Sequence, residues 1–177
     1  MIYLFIMLGK KDYHLEVSDN IRFSNEYKDI NRNNIYKYVN DGEVLDVLNG
    51  KSGVIFNCFS SNIWCHYYAE YLNEVALDNH LQEIYYYDFK RDRSLKNITY
   101  NSIVSKLKDY ISYDDSGKGD LYAPSIMIII NGQVSYFLDE VKTIKGKVNP
   151  EDYFTDYKKN LLKNNLDEAI KEYLQKK

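Results

Sequence analysis

Hydrophobic and polar positions along this chain of 177 residues switch between a period near two and a period near 3.6, and the switches mark its elements. Residues 54–59 begin Val54-Ile55-Phe56, an apolar run whose branched and aromatic side chains suit a buried strand. From 63 to about 78, Trp64, Tyr68, Tyr71, Leu72, Val75 and Ala76 recur at helical spacing, with Asn62 placed to cap the helix. A strand follows over 82–89, then a helix over 99–111 carried by Ile103, Leu107 and Ile111. Residues 125–130 and 133–138 are joined by Asn131-Gly132, the strongest two-residue signal for a β-hairpin.

Earlier in the chain, 34–39 reads as a short strand. Val44, Leu45 and Leu48 mark a helix over 41–49, stopped by the turn residues of 49–53. Residues 18–34 are polar, with Ser24 expected to cap a short helix through Ile30. At the other end, Pro150 and Glu151 open a helix. Asn164-Asn165 is expected to divide it from a second one. The apolar residues 1–8 are too short to span a bilayer. They are read as a buried strand, in a hairpin with 13–17, with a membrane-targeting segment as the alternative.

The order is strand, helix, strand, helix, strand, helix, hairpin, helix. It predicts an α/β fold whose mixed central sheet is parallel first and antiparallel at the end, with helices on both faces. One domain suffices at this length. Its expected parts are an N-terminal extension over 1–33, a core over 34–148 and a C-terminal helical segment over 149–177.

Composition narrows the function. A hydrophobic share of 45% beside a charged share of 28% and a net charge of −3 is that of a globular chain without a basic patch, so nucleic acid is not an expected partner. His14, His66 and His80 lack metal-ligand spacing, and the acidic stretch at 114–120 lacks that of a calcium loop. No metal and no cofactor are expected, nor is an oligomer. The cytoplasm is the expected compartment, with a membrane-associated or extracytoplasmic location through residues 1–8 as the alternative.

Two segments carry the candidate chemistry. One is Asn62-Ile63-Trp64-Cys65, set between the buried strand and the long helix. The other is Ala123-Pro124-Ser125, set before the hairpin. Together they resemble the thioredoxin superfamily, ungapped through the first segment and over about residues 40–145. The Ile63-Trp64-Cys65 order, with the long segment at 91–122, is most similar to bacterial thioredoxin-like proteins of the bacteriocin transport accessory type. The resemblance implies a thioredoxin-like fold with an N-terminal extension and extra C-terminal helices. It also implies a cis Pro124 facing the helix start, and a groove at Asn62, Ile63, Trp64, Ala123 and Pro124 that takes an extended peptide.

In a family site the first cysteine attacks as a thiolate at the helix start, and the second resolves the mixed disulfide. Here Asn62 stands in the attacking position, and Phe56 stands where the family keeps a buried Asp. The resemblance therefore implies a degenerate site, weak or inactive in dithiol exchange, that binds a peptide or protein partner. The alternative is a single-cysteine oxidoreductase using Cys65. A rival register, with Cys65-His66-Tyr67-Tyr68 on the motif, makes Cys65 the exposed attacking thiol. Cys58 and Cys65 are otherwise read as small buried apolar residues. A redox role for Cys58, through a bridge to Cys65, depends on a Cα separation under about 7 Å. Trp64 is expected at the rim of the groove, His66 in an exposed first turn, and Tyr67, Tyr68 and Tyr71 in the core and groove wall. A third reading is an accessory protein that interacts through its N-terminal segment or C-terminal helices.

Overall fold

β2 (Gly53–Asn57) is buried at all five positions, as a strand must be when it runs through the middle of a sheet covered on both faces. The computed structural model describes residues 17–114, 116–139 and 148–177. The expected N-terminal strand and hairpin fall outside the described residues except at Val17. Around β2 the sheet has the order β1-β3-β2-β4-β5, with β1 (Tyr36–Tyr38), β3 (Ile84–Tyr87), β4 (Ser125–Ile130) and β5 (Gln133–Leu138). β1, β3 and β2 are parallel; β4 runs antiparallel to β2, and β5 to β4. This is the mixed sheet expected from the sequence, and it is compatible with a thioredoxin-like α/β fold.

The helices follow from the crossovers. α2 (Asp41–Leu48) links β1 to β2, and α3 (Ile63–Asp78) links β2 to β3 in the opposite direction across the sheet. Right-handed connections therefore put α2 and α3 on opposite faces. α5 (Ile98–Lys106) packs against α2, and the last helix, α7 (Asp156–Lys176), packs against α3, β4 and β5. α1 (Asp19–Glu26) joins the α3 side. There Phe23 stacks on Tyr36 at 3.8 Å and on Tyr27 at 4.3 Å, and Tyr27 lies 4.8 Å from the His66 ring. The Tyr36 hydroxyl donates to the Ala69 carbonyl of α3 at 2.8 Å.

The hairpin turn places Asn131 and Gly132 at φ 51° and 79°, the paired positive values of a type I′ turn. Gly132 has a second reason to lack a side chain, because a Cβ there would stand 2.8 Å from the Gly50 nitrogen. That close approach lets the Gly132 amide donate to the Lys51 carbonyl at 2.8 Å, tying the hairpin to the turn that leads into β2.

Three elements differ from the reading of the sequence. Ser24 lies inside α1 and its hydroxyl donates back to the Asn20 carbonyl at 2.8 Å, so Ser18 holds the cap position instead. A short α4 (Lys90–Leu95) was not foreseen; it buries none of its residues and so carries no apolar periodicity to read. The C-terminal break comes at Phe154 rather than at Asn164-Asn165. A one-turn α6 (Pro150–Tyr153) ends there, and Thr155 caps α7, which continues for 21 residues. The two asparagines stay helical because Leu162, Leu166, Ala169, Ile170 and Tyr173 bury a continuous stripe, and packing outweighs weak intrinsic propensity. Among the described residues no helix is long and apolar enough to cross a membrane.

Candidate functional site at the start of α3

β2 gives way to a loop at Cys58, and α3 begins after Asn62. The loop is set by its own backbone: the Asn62 amide donates to the Phe59 carbonyl at 3.0 Å, and the Cys65 amide to the Asn62 carbonyl at 2.9 Å. The Asn62 side chain does two jobs at once. Its Oδ1 accepts from the Trp64 amide at 3.1 Å, satisfying one of the free N–H groups of the helix start. Its Nδ2 donates to the Ala123 carbonyl at 2.9 Å, across to the loop where Ala123-Pro124 is a cis peptide. Asn62 thus stands at the helix start opposite Pro124, and Cys65 lies in the helix's first turn.

Cys58 and Cys65 are bonded to each other, with Cα atoms 6.0 Å apart, and both are fully buried. They are the chain's two cysteines, so no thiol is free. The sequence reading had them as separate small apolar residues, with the bridge as its sharper alternative. The loop decides between these, because its tight backbone bonds bring the strand end within disulfide reach of the helix's first turn. Phe56 is also fully buried, its ring 5.8 Å from Tyr36 and 6.2 Å from Tyr86.

Trp64, expected at the rim, is buried. α6 and the residue after it close over it, with Tyr153 at 5.4 Å and Phe154 at 6.1 Å between ring centroids. Phe154 is the residue that sequence reasoning missed. Its ring also meets Tyr67 at 5.7 Å, Tyr68 at 5.4 Å and Tyr71 at 5.2 Å, so it fills the outer stripe of α3. The available signal was that stripe itself, since 64, 67, 68 and 71 recur at helical spacing. Of the five residues expected to line the groove, Asn62, Trp64, Ala123 and Pro124 are buried, and Ile63 stands at the surface, 58% exposed. Beneath the site the cross-strand partners Asn57 and Ser125 are buried, and neither side chain makes a hydrogen bond within the protein.

The surface on one side of the loop is acidic, and on the other side cations outnumber carboxylates. On the α3 side a cleft of about 380 Å³ is lined by Asp29, Ile63, His66, Tyr67, Glu70 and Glu151. His66 Nε2 lies 2.9 Å from the Ser60 carbonyl, which only accepts, so this nitrogen carries the proton. Partial burial, and then the carboxylate of Glu151, raise the Tyr67 phenol above its ordinary pKa, with Asp29 and Glu70 adding to the effect. On the α4 side a broader concavity of about 630 Å³ runs along Asp88, Lys90, Arg91, Ser94 and Leu95. There Lys90 Nζ donates to the Ser61 hydroxyl at 3.1 Å.

This arrangement offers no sulfur nucleophile. Dithiol exchange needs a thiolate within reach of a substrate disulfide, and here an amide occupies the helix start while both sulfurs are spent on each other in the interior. Among the described residues no group of three or more His, Cys, Asp or Glu side chains is placed to hold a metal ion. No protein-family model matches this chain, and no curated protein matches it.

Proposed function

We propose that this chain is a thioredoxin-like binding protein that takes a peptide or protein partner and does not catalyse dithiol–disulfide exchange. One observation supports the reading: Asn62, where the resemblance would put an attacking cysteine, caps α3 and bonds to the Ala123 carbonyl. A single-cysteine exchange through Cys65 has no free thiol to begin it, because Cys65 is buried and bonded to Cys58. With most of the cis-proline loop covered, the surface left for a partner is the exposed Ile63 and the charged flanks beside it. This remains in keeping with the accessory role implied by the resemblance to bacteriocin transport accessory-type proteins. Buried disulfides persist in oxidising compartments, so the bridge favours the extracytoplasmic alternative over the cytoplasm.

Insulin reduction by dithiothreitol tests the catalytic half of this reading. The protein is expected to leave the rate at the background of the reductant alone. Turnover well above background, lost in Cys65→Ser, establishes the single-cysteine enzyme instead.

A further inference from the structure

The face left open beside the loop is self-complementary, and we infer that its occupant is a second copy of this chain, docked about a twofold axis that runs along residues 60–63. The inference rests on the reading above, that the molecule is a binding protein using this face.

The acidic flank surrounds an apolar centre. Asp29, Glu70 and Glu151 are exposed around Ile63 and the half-buried Tyr67. None of the three is in an ion pair among the described residues, whereas Glu74, one turn further along α3, is held by Lys163 at 2.6 Å. The other flank carries an excess of cations, with the exposed carboxylate of Asp88 among them. Lys90, Arg91 and Lys96 are exposed around Leu95, 64% exposed, and Ile98, 87% exposed. These three cations form no ion pair among the described residues either.

Apolar contact at the centre with charge at the edge is how docking surfaces divide their work: the first contributes affinity, and the second sets register and excludes wrong partners. Both flanks hang on one loop. His66 Nε2 lies 2.9 Å from the Ser60 carbonyl on the acidic side, and Lys90 Nζ lies 3.1 Å from the Ser61 hydroxyl on the basic side. A half-turn about an axis along that loop lays the acidic flank of each copy on the basic flank of the other. Both contacts form together, which is the condition for a closed isologous dimer. Two flanks of opposite excess charge beside one loop let a second copy satisfy both at once, and this complementarity is what favours it as the occupant.

The test is the mass in solution, by light scattering across a concentration series, with circular dichroism to verify folding. Two variants reverse one flank each at exposed positions: Glu70→Lys/Glu151→Lys and Arg91→Glu/Lys96→Glu. The wild-type mass is expected to approach twice that of the chain at about 20 mM salt. It should fall toward that of the single chain at about 0.5 M, where the screening length shrinks from roughly 20 Å to roughly 4 Å. Each variant alone is expected to be monomeric, and an equimolar mixture of the two to recover the dimer, because each then meets a flank of opposite sign. A wild type that is monomeric at every concentration in low salt overturns the inference, as does a dimer that neither reversal weakens. A monomer that still leaves insulin reduction at background overturns self-pairing alone; insulin turnover overturns the reading beneath it.

Discussion

The two halves of the site have been treated differently. The proline half keeps its backbone form, with a cis Ala123-Pro124 followed directly by β4, a type I′ turn and β5. The helix half is regular too, and its side chains turn inward or serve the backbone. Asn62 supplies the cap, Cys65 turns inward to Cys58, and Trp64 goes under Phe154. A hydrogen bond from Asn62 to the Ala123 carbonyl ties one half to the other. The difference teaches that a helix start facing a cis-proline loop needs no thiol to hold it, because a capping amide satisfies the backbone there.

The two halves separate most sharply at high pH, because buried phenols pack against α3: Tyr27 lies beside His66, and the Tyr36 hydroxyl donates to the Ala69 carbonyl. Burial raises the pKa of Tyr27, Tyr36 and Tyr86 far above 10. A raised pKa means that the folded state holds its proton after the unfolded chain has released it. The stability tied to these groups is therefore fully present below about pH 10 and falls as pH rises beyond it, by ~1.4 kcal/mol per pH unit for each phenol. The share of phenolate absorbance that belongs to these three tyrosines is expected to appear together with the loss of circular dichroism, in one transition. Ionisation of these three tyrosines within a still-folded chain would contradict this.

Phe154→Ala gives the next largest effect, a loss of about 3–5 kcal/mol in urea unfolding, as for other buried aromatics cut back to Ala. It should also raise the exposure of Trp64, read as a red shift of its emission, while the hairpin half is unaffected. Asn62→Ala sharpens the comparison with a smaller loss of about 1–2 kcal/mol, from the cap and the bond to Ala123 together. Asn62→Ser should return the share due to the cap and not the share due to Ala123, since serine accepts from the helix N–H but is too short to cross to the proline loop. Equal stability in the Ala and Ser variants would remove the cap from the account.

Much of the frame was legible in the sequence, for reasons that are local. β2 announces itself by continuous burial, α3 by helical spacing after a capping Asn, and the hairpin by Asn131-Gly132. What was not legible depends on contacts between distant segments. α4 is a helix without an apolar face, so periodicity has nothing to register. Trp64 is covered by Tyr153 and Phe154, far along the chain, and no local pattern at 62–65 carries that information. The break at Phe154 looks like continuous helix until its ring is seen to be spent on α3, and Asn164-Asn165 looks like a break until its neighbours are seen to be buried. At the site, the identity of Asn62 was plain from the sequence. The fate of the two sulfurs turned on a Cα separation, 6.0 Å, that seven residues of spacing leave undetermined.

The central claim is that both sulfurs of this site are locked to each other in the interior and unavailable for exchange. Counting thiols by mass after maleimide labelling tests it most directly. The folded protein, without reductant, is expected to take no label, and the protein unfolded and then reduced to take two. A folded protein that takes label at Cys65 would place a free thiol at the start of α3 and contradict the account.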